Sequence, residues 1–114
     1  MTWHLARVEQ EPTKTLDAWM VMEVPFDGAD RPWTRHFVGL RREGCKGQVS
    51  SPVEVFDPVR RRAVTRTGQV YELDGLPGLN ADAFATWRRW KHLNGIAHER
   101  DVTDEVAEDV GHVY

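Results

Sequence analysis

Residues 65–78 decide how this chain folds locally: Thr65-Arg66-Thr67-Gly68-Gln69-Val70-Tyr71-Glu72-Leu73-Asp74-Gly75-Leu76-Pro77-Gly78. Thr67-Gly68 has the composition of a turn, because glycine adopts positive φ without a steric penalty. The alternation from Gln69 to Leu73 predicts a half-buried strand. The Gly-Leu-Pro-Gly segment cannot continue a ladder, so the sequence predicts a turn, a strand and a sharp exit from a sheet.

A helix is predicted from Ala81 to Asn94, directly after this corner. Asn80 is a good N-cap, Asp82 in the first turn complements the helix dipole, and Gly95 ends the helix as its C′ residue. Four large apolar residues recur at spacings of three and are expected to share one broad face that lies on the sheet. They are Phe84, Trp87, Trp90 and Leu93.

The remaining pattern predicts short strands separated by turns. The predicted strands are Trp3–Val8, Ala18–Val24, Thr34–Arg41, Gln48–Phe56, Ala63–Arg66 and Gln69–Leu73. Proline has no N–H for a ladder, so the strand with Ser50-Ser51-Pro52 lies at an edge or is interrupted there. The predicted fold class is α+β: an antiparallel meander of five or six strands with one main helix packed on one face.

The length of 114 residues predicts a single domain, 1–114, with one hydrophobic core. We expect residues 1–97 to form the folded core and residues 98–114 to form an acidic tail. Valines recur every four residues in this tail at Val102, Val106 and Val110, behind Thr103 as a candidate cap. Two expectations therefore remain open for the tail, a short second helix and a mobile acidic terminus.

The net charge of −3 conceals two regions of opposite sign. Residues 34–66 contain eight basic side chains against three acidic ones, a balance of +5. Residues 99–109 contain six acidic side chains against one arginine, a balance of −5. Such asymmetry bears on partners and association rates, not on fold.

The candidate partner-binding residues come from these two regions. They are Arg41, Arg42, Arg60, Arg61, Arg62 and Arg66 on the basic side, and Asp101, Asp104, Glu105, Glu108 and Asp109 on the acidic side. The arginines suit phosphates or a carboxylate-rich protein patch. The acids either present carboxylates to a basic partner or fold back on the arginines. The alternative is that both sets are solvated surface charge, the arginines protecting a strand edge and the acids solubilising a terminus.

The chain carries no catalytic or cofactor motif that we recognise. Its five histidines contain neither His-x-x-x-His nor His-x-His, and there is no phosphate-binding glycine loop and no Gly-x-Ser-x-Gly elbow. Cys45 is the only cysteine, which excludes an intrachain disulfide. The sequence therefore predicts no catalytic residue, no metal and no cofactor. A remaining hypothesis is an enzyme that uses His36 or Cys45 in a cleft lined by the sheet.

The first residues, Met1-Thr2-Trp3-His4-Leu5, lack the basic and apolar regions of a signal peptide. No apolar run approaches the ~18 residues of a membrane-spanning helix. We therefore expect a cytoplasmic protein without a membrane partner. The predicted edge strands leave a homodimer open, because an unprotected edge pairs across a two-fold axis.

Parts of the chain resemble small uncharacterised proteins from proteobacterial genomes and mobile elements. The similar segments are Gln48–Pro52, Phe56–Pro58, Thr65–Leu73 and Pro77-Gly78 with the Trp87/Trp90 helix, within residues 48–103. The resemblance brings no catalytic motif. It implies a bacterial context, associated with phages or plasmids, in which compact proteins bind a larger host or rival protein, as anti-CRISPR proteins do.

The predicted function is therefore a non-catalytic protein-binding or inhibitory domain that acts through charged patches, in a mobile-element setting an inhibitor of a bacterial defence complex. The alternative is a nucleic-acid-binding accessory protein that uses the arginine-rich hairpin. The excess of acidic residues and the lack of interleaved aromatic and basic residues disfavour that alternative.

Overall fold

The computed structural model describes residues 12–111. This range forms a compact α+β fold, with a mostly antiparallel mixed sheet and two helices. The elements are β1 (Lys14–Val24), β2 (Thr34–Arg41), β3 (Lys46–Val49), β4 (Val53–Asp57), β5 (Arg62–Thr65), β6 (Val70–Leu73), α1 (Ala81–Leu93), β7 (Arg100–Asp101) and α2 (Thr103–Asp109). The predicted strand Trp3–Val8 lies outside the described residues.

The main strand order is β3-β2-β1-β6-β5-β4, with β7 paired to the far half of β1. Every pair in this order is antiparallel except β1 with β6, which is parallel. The prediction of a purely antiparallel sheet is therefore wrong at this pair. The reason is geometric. If β3 and β4 are counted as one interrupted strand, the chain forms five consecutive strands that alternate in direction. The first of them, β1, and the fifth, β6, therefore run in the same direction and pair in parallel.

The interruption predicted at Ser50-Ser51-Pro52 is confirmed, and it closes the sheet. β3 and β4 stand at opposite ends of the strand order, yet only these three residues separate them. The sheet therefore curls until its two ends meet. Phe37 N donates to Ser50 Oγ at 2.9 Å on one side of the crossing, and Arg66 N donates to the Pro52 carbonyl at 2.8 Å on the other.

A bulge in β1 connects the sheet to the corner at residues 75–78. The register between β1 and β2 shifts between Asp17 and Met20, and Ala18 has a φ of 47°. A bulge re-aims the side chain beside it, here Trp19, which is fully buried. The Trp19 Nε1–H donates to the Gly75 carbonyl at 3.2 Å, and Trp19 bridges to Pro77. The corner is thereby fixed to β1.

The sheet has a hydrophobic cluster on each face, where the sequence predicted a single core. The inner cluster contains Leu16, Trp19, Val21, Phe37, Ala63, Tyr71 and Leu73 together with Val102, Val106 and Ala107. The outer cluster contains Met20, Met22, Val24 and Val38 together with Ala83 and Trp87 of α1. Neighbouring residues of β1 point to opposite faces, so one strand supplies both clusters.

The predicted caps of α1 are confirmed. Asn80 Oδ1 accepts a hydrogen bond from Ala83 N at 3.0 Å, and Gly95 has a φ of 64° after the last turn. The predicted apolar face is wrong at one end, because Leu93 is 75% exposed whereas Trp87 is fully buried. A helix turns about 100° per residue, so two steps of three residues carry Leu93 about 120° away from Trp87.

The second helix is present and belongs to the folded body. Val102, Val106 and Ala107 are buried against the inner face of the sheet. Thr103 is not the cap that the sequence suggested, because its Oγ1 accepts a hydrogen bond from Val21 N at 3.0 Å. The part of the predicted acidic tail that contains α2 therefore packs on the core, and its acids at positions 104, 105, 108 and 109 are exposed.

Gly47 in β3 allows α1 to pack directly on the sheet. A Cβ at this position would lie 2.4 Å from Thr86 Oγ1 and 2.6 Å from the Asp82 carbonyl oxygen, part of the helix backbone. We expect Gly47→Ala to lower the free energy of unfolding by about 2–3 kcal/mol, because the helix must move away. Urea denaturation followed by tryptophan fluorescence measures this change.

Gly78→Ala is the matched control, since its Cβ would meet only Ala18 at 3.7 Å, an ordinary contact. It should change the free energy of unfolding by less than about 0.5 kcal/mol. Equal losses in the two variants would contradict the proposed contact between Gly47 and α1.

Candidate functional site

Each arginine of the predicted site contacts an acceptor within the described part of the chain. Arg42 pairs with Asp17 and Asp74, Arg60 with Asp57, Arg62 with Glu72, Arg66 with Asp27 and Glu54, and Arg41 and Arg61 bind the carbonyls of Glu43 and Gly75. Four of the six therefore have carboxylate partners. The charge balance of residues 34–66 counts only two of these six acids, Glu54 and Asp57, because the other four lie elsewhere in the sequence.

Two of these arginines converge on the corner after β6. Arg42 binds Asp17 at 2.8 Å and also contacts the Asp74 carboxylate. The guanidinium of Arg61 contacts the Gly75 carbonyl and lies 5.9 Å from the centre of the Trp19 ring. The hydrogen bond from Arg42 lowers the pKa of Asp74 below its usual value. These arginines hold the corner in place.

Arg66 lies at the other end of β5 and forms a separate network. Its guanidinium binds both oxygens of Asp27 at 2.9 Å, and its Nε donates to Glu54 at 3.0 Å. The hydrogen bond to Arg66 lowers the pKa of Asp27, and the same bond raises the pKa of Arg66. The network joins the loop between β1 and β2 to β4. The structure thus divides the predicted basic site into separate groups.

The acids of residues 101–109 are only partly engaged. Asp101 Oδ1 accepts a hydrogen bond from Thr103 N at 2.9 Å, and Glu105 pairs with Arg35 at 2.9 Å. The remaining three, Asp104, Glu108 and Asp109, form no ion pair with residues 12–111. This side of α2 therefore keeps negative charge that the described residues do not neutralise.

A groove of about 700 Å³ lies beside two of the acids in this region, Asp101 and Asp104. It is lined by Met20, Pro77, Gly78, Leu79, Phe84, Asp101, Thr103 and Asp104. Leu79 is 71% exposed at its rim. The charge pattern of the sequence predicts Asp101 and Asp104 as candidate residues but does not predict the apolar residues beside them. The signal available for them was a pair of leucines, Leu76 and Leu79, in a corner where no buried strand or helix required them.

His36 is fully buried in β2 and has a partner for each ring nitrogen. Its Nδ1 lies 2.8 Å from the Ser50 carbonyl, which only accepts, so Nδ1 carries the proton. Its Nε2 therefore accepts from Thr34 Oγ1 at 2.7 Å. Burial lowers the pKa of His36, and the bond to Ser50 opposes this shift only in part.

Cys45 lies apart from His36, exposed in the turn between β2 and β3. Its φ is 53°, which suits a tight turn. It borders a cavity of about 360 Å³ together with Lys46, Asp82 and Arg89. The hypothesis of an enzyme based on His36 or Cys45 stays a prediction. Residues 12–111 contain no cluster of three or more metal-ligating side chains.

Comparisons with known proteins bring no further assignment. No family model, no curated sequence and no solved structure matches this chain. The resemblance to mobile-element proteins therefore stays a prediction. Neither α1 nor α2 has the length and apolar character needed to cross a bilayer.

The buried neutral His36 makes stability depend on pH. An ordinary histidine has a pKa of 6.5, and the pKa of His36 in the folded state is lower. At a pH between these two values, this histidine binds a proton in the unfolded chain but not in the folded one. The free energy of unfolding should be constant above about pH 6.5 and fall below it, by up to about 1.4 kcal/mol per pH unit from this group. Urea denaturation at pH 7.5, 6.5 and 5.5 measures the slope.

His36→Asn keeps an N–H donor for Ser50 but does not titrate, so the slope should flatten whatever the absolute stability of the variant. His92→Gln is the control, since His92 is exposed on α1 and its removal should leave the slope unchanged. An unaltered slope in His36→Asn would assign the effect to another group.

Proposed function

We propose that this domain is a non-catalytic protein-binding domain whose partner carries a basic surface. One observation carries the proposal: the carboxylates of Asp101 in β7 and Asp104 in α2, which form no ion pair with the described residues, line a groove with an exposed leucine at its rim. Carboxylates without counter-charges attract a cationic partner and speed its approach. Apolar surface beside them adds affinity that charge alone does not supply.

The acidic side supports this proposal better than the basic side. An arginine that already binds a carboxylate must exchange that partner for a new one, so the net gain on binding is small. Arg42 and Arg66 each hold two carboxylates within the chain. Asp104, by contrast, holds no cation among the described residues. For the same reason we favour a protein partner over the nucleic-acid alternative, which needs free arginines.

The setting of this interaction is also a proposal. The resemblance to mobile-element proteins suggests that the domain occludes a functional surface of a larger bacterial protein, as an inhibitor of a defence complex does. A cytoplasmic location belongs to the same proposal. The charge pattern specifies the sign of the partner surface and leaves its identity open.

Affinity purification from a bacterial lysate tests the proposal. We expect the unaltered chain to retain specific proteins at about 50 mM salt, where the Debye length is about 14 Å and charges are weakly screened. It should lose most of these proteins above physiological salt, where the Debye length is shorter. Neutralising the α2 acids, with Asp104→Asn, Glu108→Gln and Asp109→Asn together, should abolish the same interactions. Quantitative mass spectrometry of the eluates provides the measurement.

The matched control neutralises two arginines of the basic side, the half-buried Arg41 and the exposed Arg60, with Arg41→Gln and Arg60→Gln, and should retain the partners. If the unaltered chain, the acid variant and the arginine variant all retain the same set of partner proteins, the acidic surface is not the binding surface. Loss of partners in the arginine variant alone would favour the basic surface, and a salt-sensitive gel shift with DNA or RNA would favour the nucleic-acid alternative.

A further inference from the structure

The apolar floor of the groove is held rigidly while one leucine stays in solvent. Gly78 N donates to the Trp19 carbonyl at 3.0 Å, and the Gly75 carbonyl accepts from the Trp19 indole at 3.2 Å. These two bonds fix both ends of the corner to the bulge of β1. Leu79 follows directly and is 71% exposed, whereas Met20 and Phe84, which line the same groove and form its apolar floor, are buried and half-buried. A rigid apolar surface binds with little loss of conformational entropy.

The wall of the groove is acidic and has no internal cation among the described residues. Asp101 uses one oxygen to accept from Thr103 N, and Thr103 uses its hydroxyl to accept from Val21 N. The nearest basic residue in sequence, Arg100, is directed away: it pairs with Glu23 and lies 4.4 Å from the Trp33 ring centre. The two carboxylates of Asp101 and Asp104 therefore face the groove without a counter-charge.

Two other cavities among the described residues lack this combination. In the cavity of about 380 Å³ near Arg66, all lining charges except Arg31 pair with each other, Asp27 and Glu54 with Arg66 and Glu23 with Arg35. The cavity of about 360 Å³ beside Cys45 has polar and small residues where the groove has Met20 and Phe84. Of these three sites, the groove at residues 77–79 is the one that combines an apolar floor with unpaired charge of one sign.

We infer that this groove is the docking site for a segment of a partner protein in which a large apolar side chain is flanked by lysine or arginine. The apolar side chain covers Leu79 and lies on Met20 and Phe84. The basic side chains meet Asp101 and Asp104. This inference rests on the proposed function and assigns it a location and a ligand chemistry.

Charge complementarity selects this occupant over two others. An anionic lipid surface would be repelled by Asp101 and Asp104, so a membrane is disfavoured. A nucleic acid is disfavoured for the same reason. A volume of about 700 Å³ lies within the range of sites that hold several side chains, so a short peptide segment fills it.

Peptide probes test the inference directly with the full chain. The first probe is a fluorescein-labelled decapeptide of glycine and serine with one tryptophan flanked by two lysines. The second replaces both lysines with glutamate, and the third replaces the tryptophan with serine. We expect the first probe to bind with a dissociation constant of about 1 mM or tighter and the other two at least about tenfold more weakly. Fluorescence anisotropy measures the affinities.

Amide chemical shifts locate the bound probe. The expected shifts lie at Gly78, Leu79, Phe84 and Thr103. Shifts centred elsewhere, or no saturable binding of the first probe, would overturn the inference. A concentration-dependent dimer that Leu79→Ser abolishes would also overturn it, because the occupant would then be a second copy of this chain.

The variants are chosen to preserve folding. Asp101→Asn keeps an oxygen for Thr103 N, and combined with Asp104→Asn it removes only charge. This double variant and Leu79→Ser should each weaken the first probe about tenfold. Leu93→Ser is the matched control, since Leu93 is also an exposed leucine, 75% accessible, but does not line the groove. Equal losses in Leu79→Ser and Leu93→Ser would contradict the site.

The lysate experiment separates the two levels of the proposal. If the Leu79→Ser variant retains the protein partners but the variant with neutralised α2 acids loses them, the proposed protein-binding function is supported. The groove is then rejected as the docking site. If the chain retains no specific protein and the first probe does not bind, both are rejected.

Discussion

The parallel pairing of β1 with β6 joins residues 14–16 to residues 71–73, and it forces the sheet to close on itself. Because β3 and β4 are consecutive segments at opposite ends of the strand order, this pairing brings their inner faces together. Phe37 then contacts Phe56 and Tyr71, with ring centres 5.8 and 6.3 Å apart. Burial raises the pKa of Tyr71 to about 12, and its hydroxyl accepts a hydrogen bond from Gln48. The inner core, the bulge at Trp19 and the position of the groove all depend on this closure.

Local sequence signals are sufficient to predict those helices and strands whose ends are determined by residues nearby in the sequence. Asn80 and Gly95 set the limits of α1 through contacts within one turn, and the missing N–H of Pro52 marked the crossing between β3 and β4. The parallel pair was not predictable in this way, since Thr13 and Val70 lie 57 residues apart when they bond. The burial of α2 depends equally on a distant strand, because Thr103 contacts Val21.

The same distinction applies to the candidate site. The charges along residues 34–66 indicate a basic region but do not indicate which carboxylates neutralise it. Arg66, for example, binds Asp27, which lies 39 residues away in the sequence. Asp104 of α2 is one of the candidate residues predicted from the sequence, and its neighbours in the groove include residues of β1, the corner and α1. A site assembled from four separate segments has no contiguous sequence pattern. Its composition is visible in the sequence, and its geometry is a property of the closed sheet.

The packing of α2 has a consequence for the order in which the chain acquires its structure. Val102, Val106 and Ala107 complete the inner cluster that β1 begins. During synthesis the strands emerge first, and their inner face stays incomplete until residues 102–107 leave the ribosome. Contacts between segments so distant in sequence are slow to form. The nascent chain therefore exposes this apolar surface until those residues emerge, and α2 then covers it while its acidic side chains stay exposed.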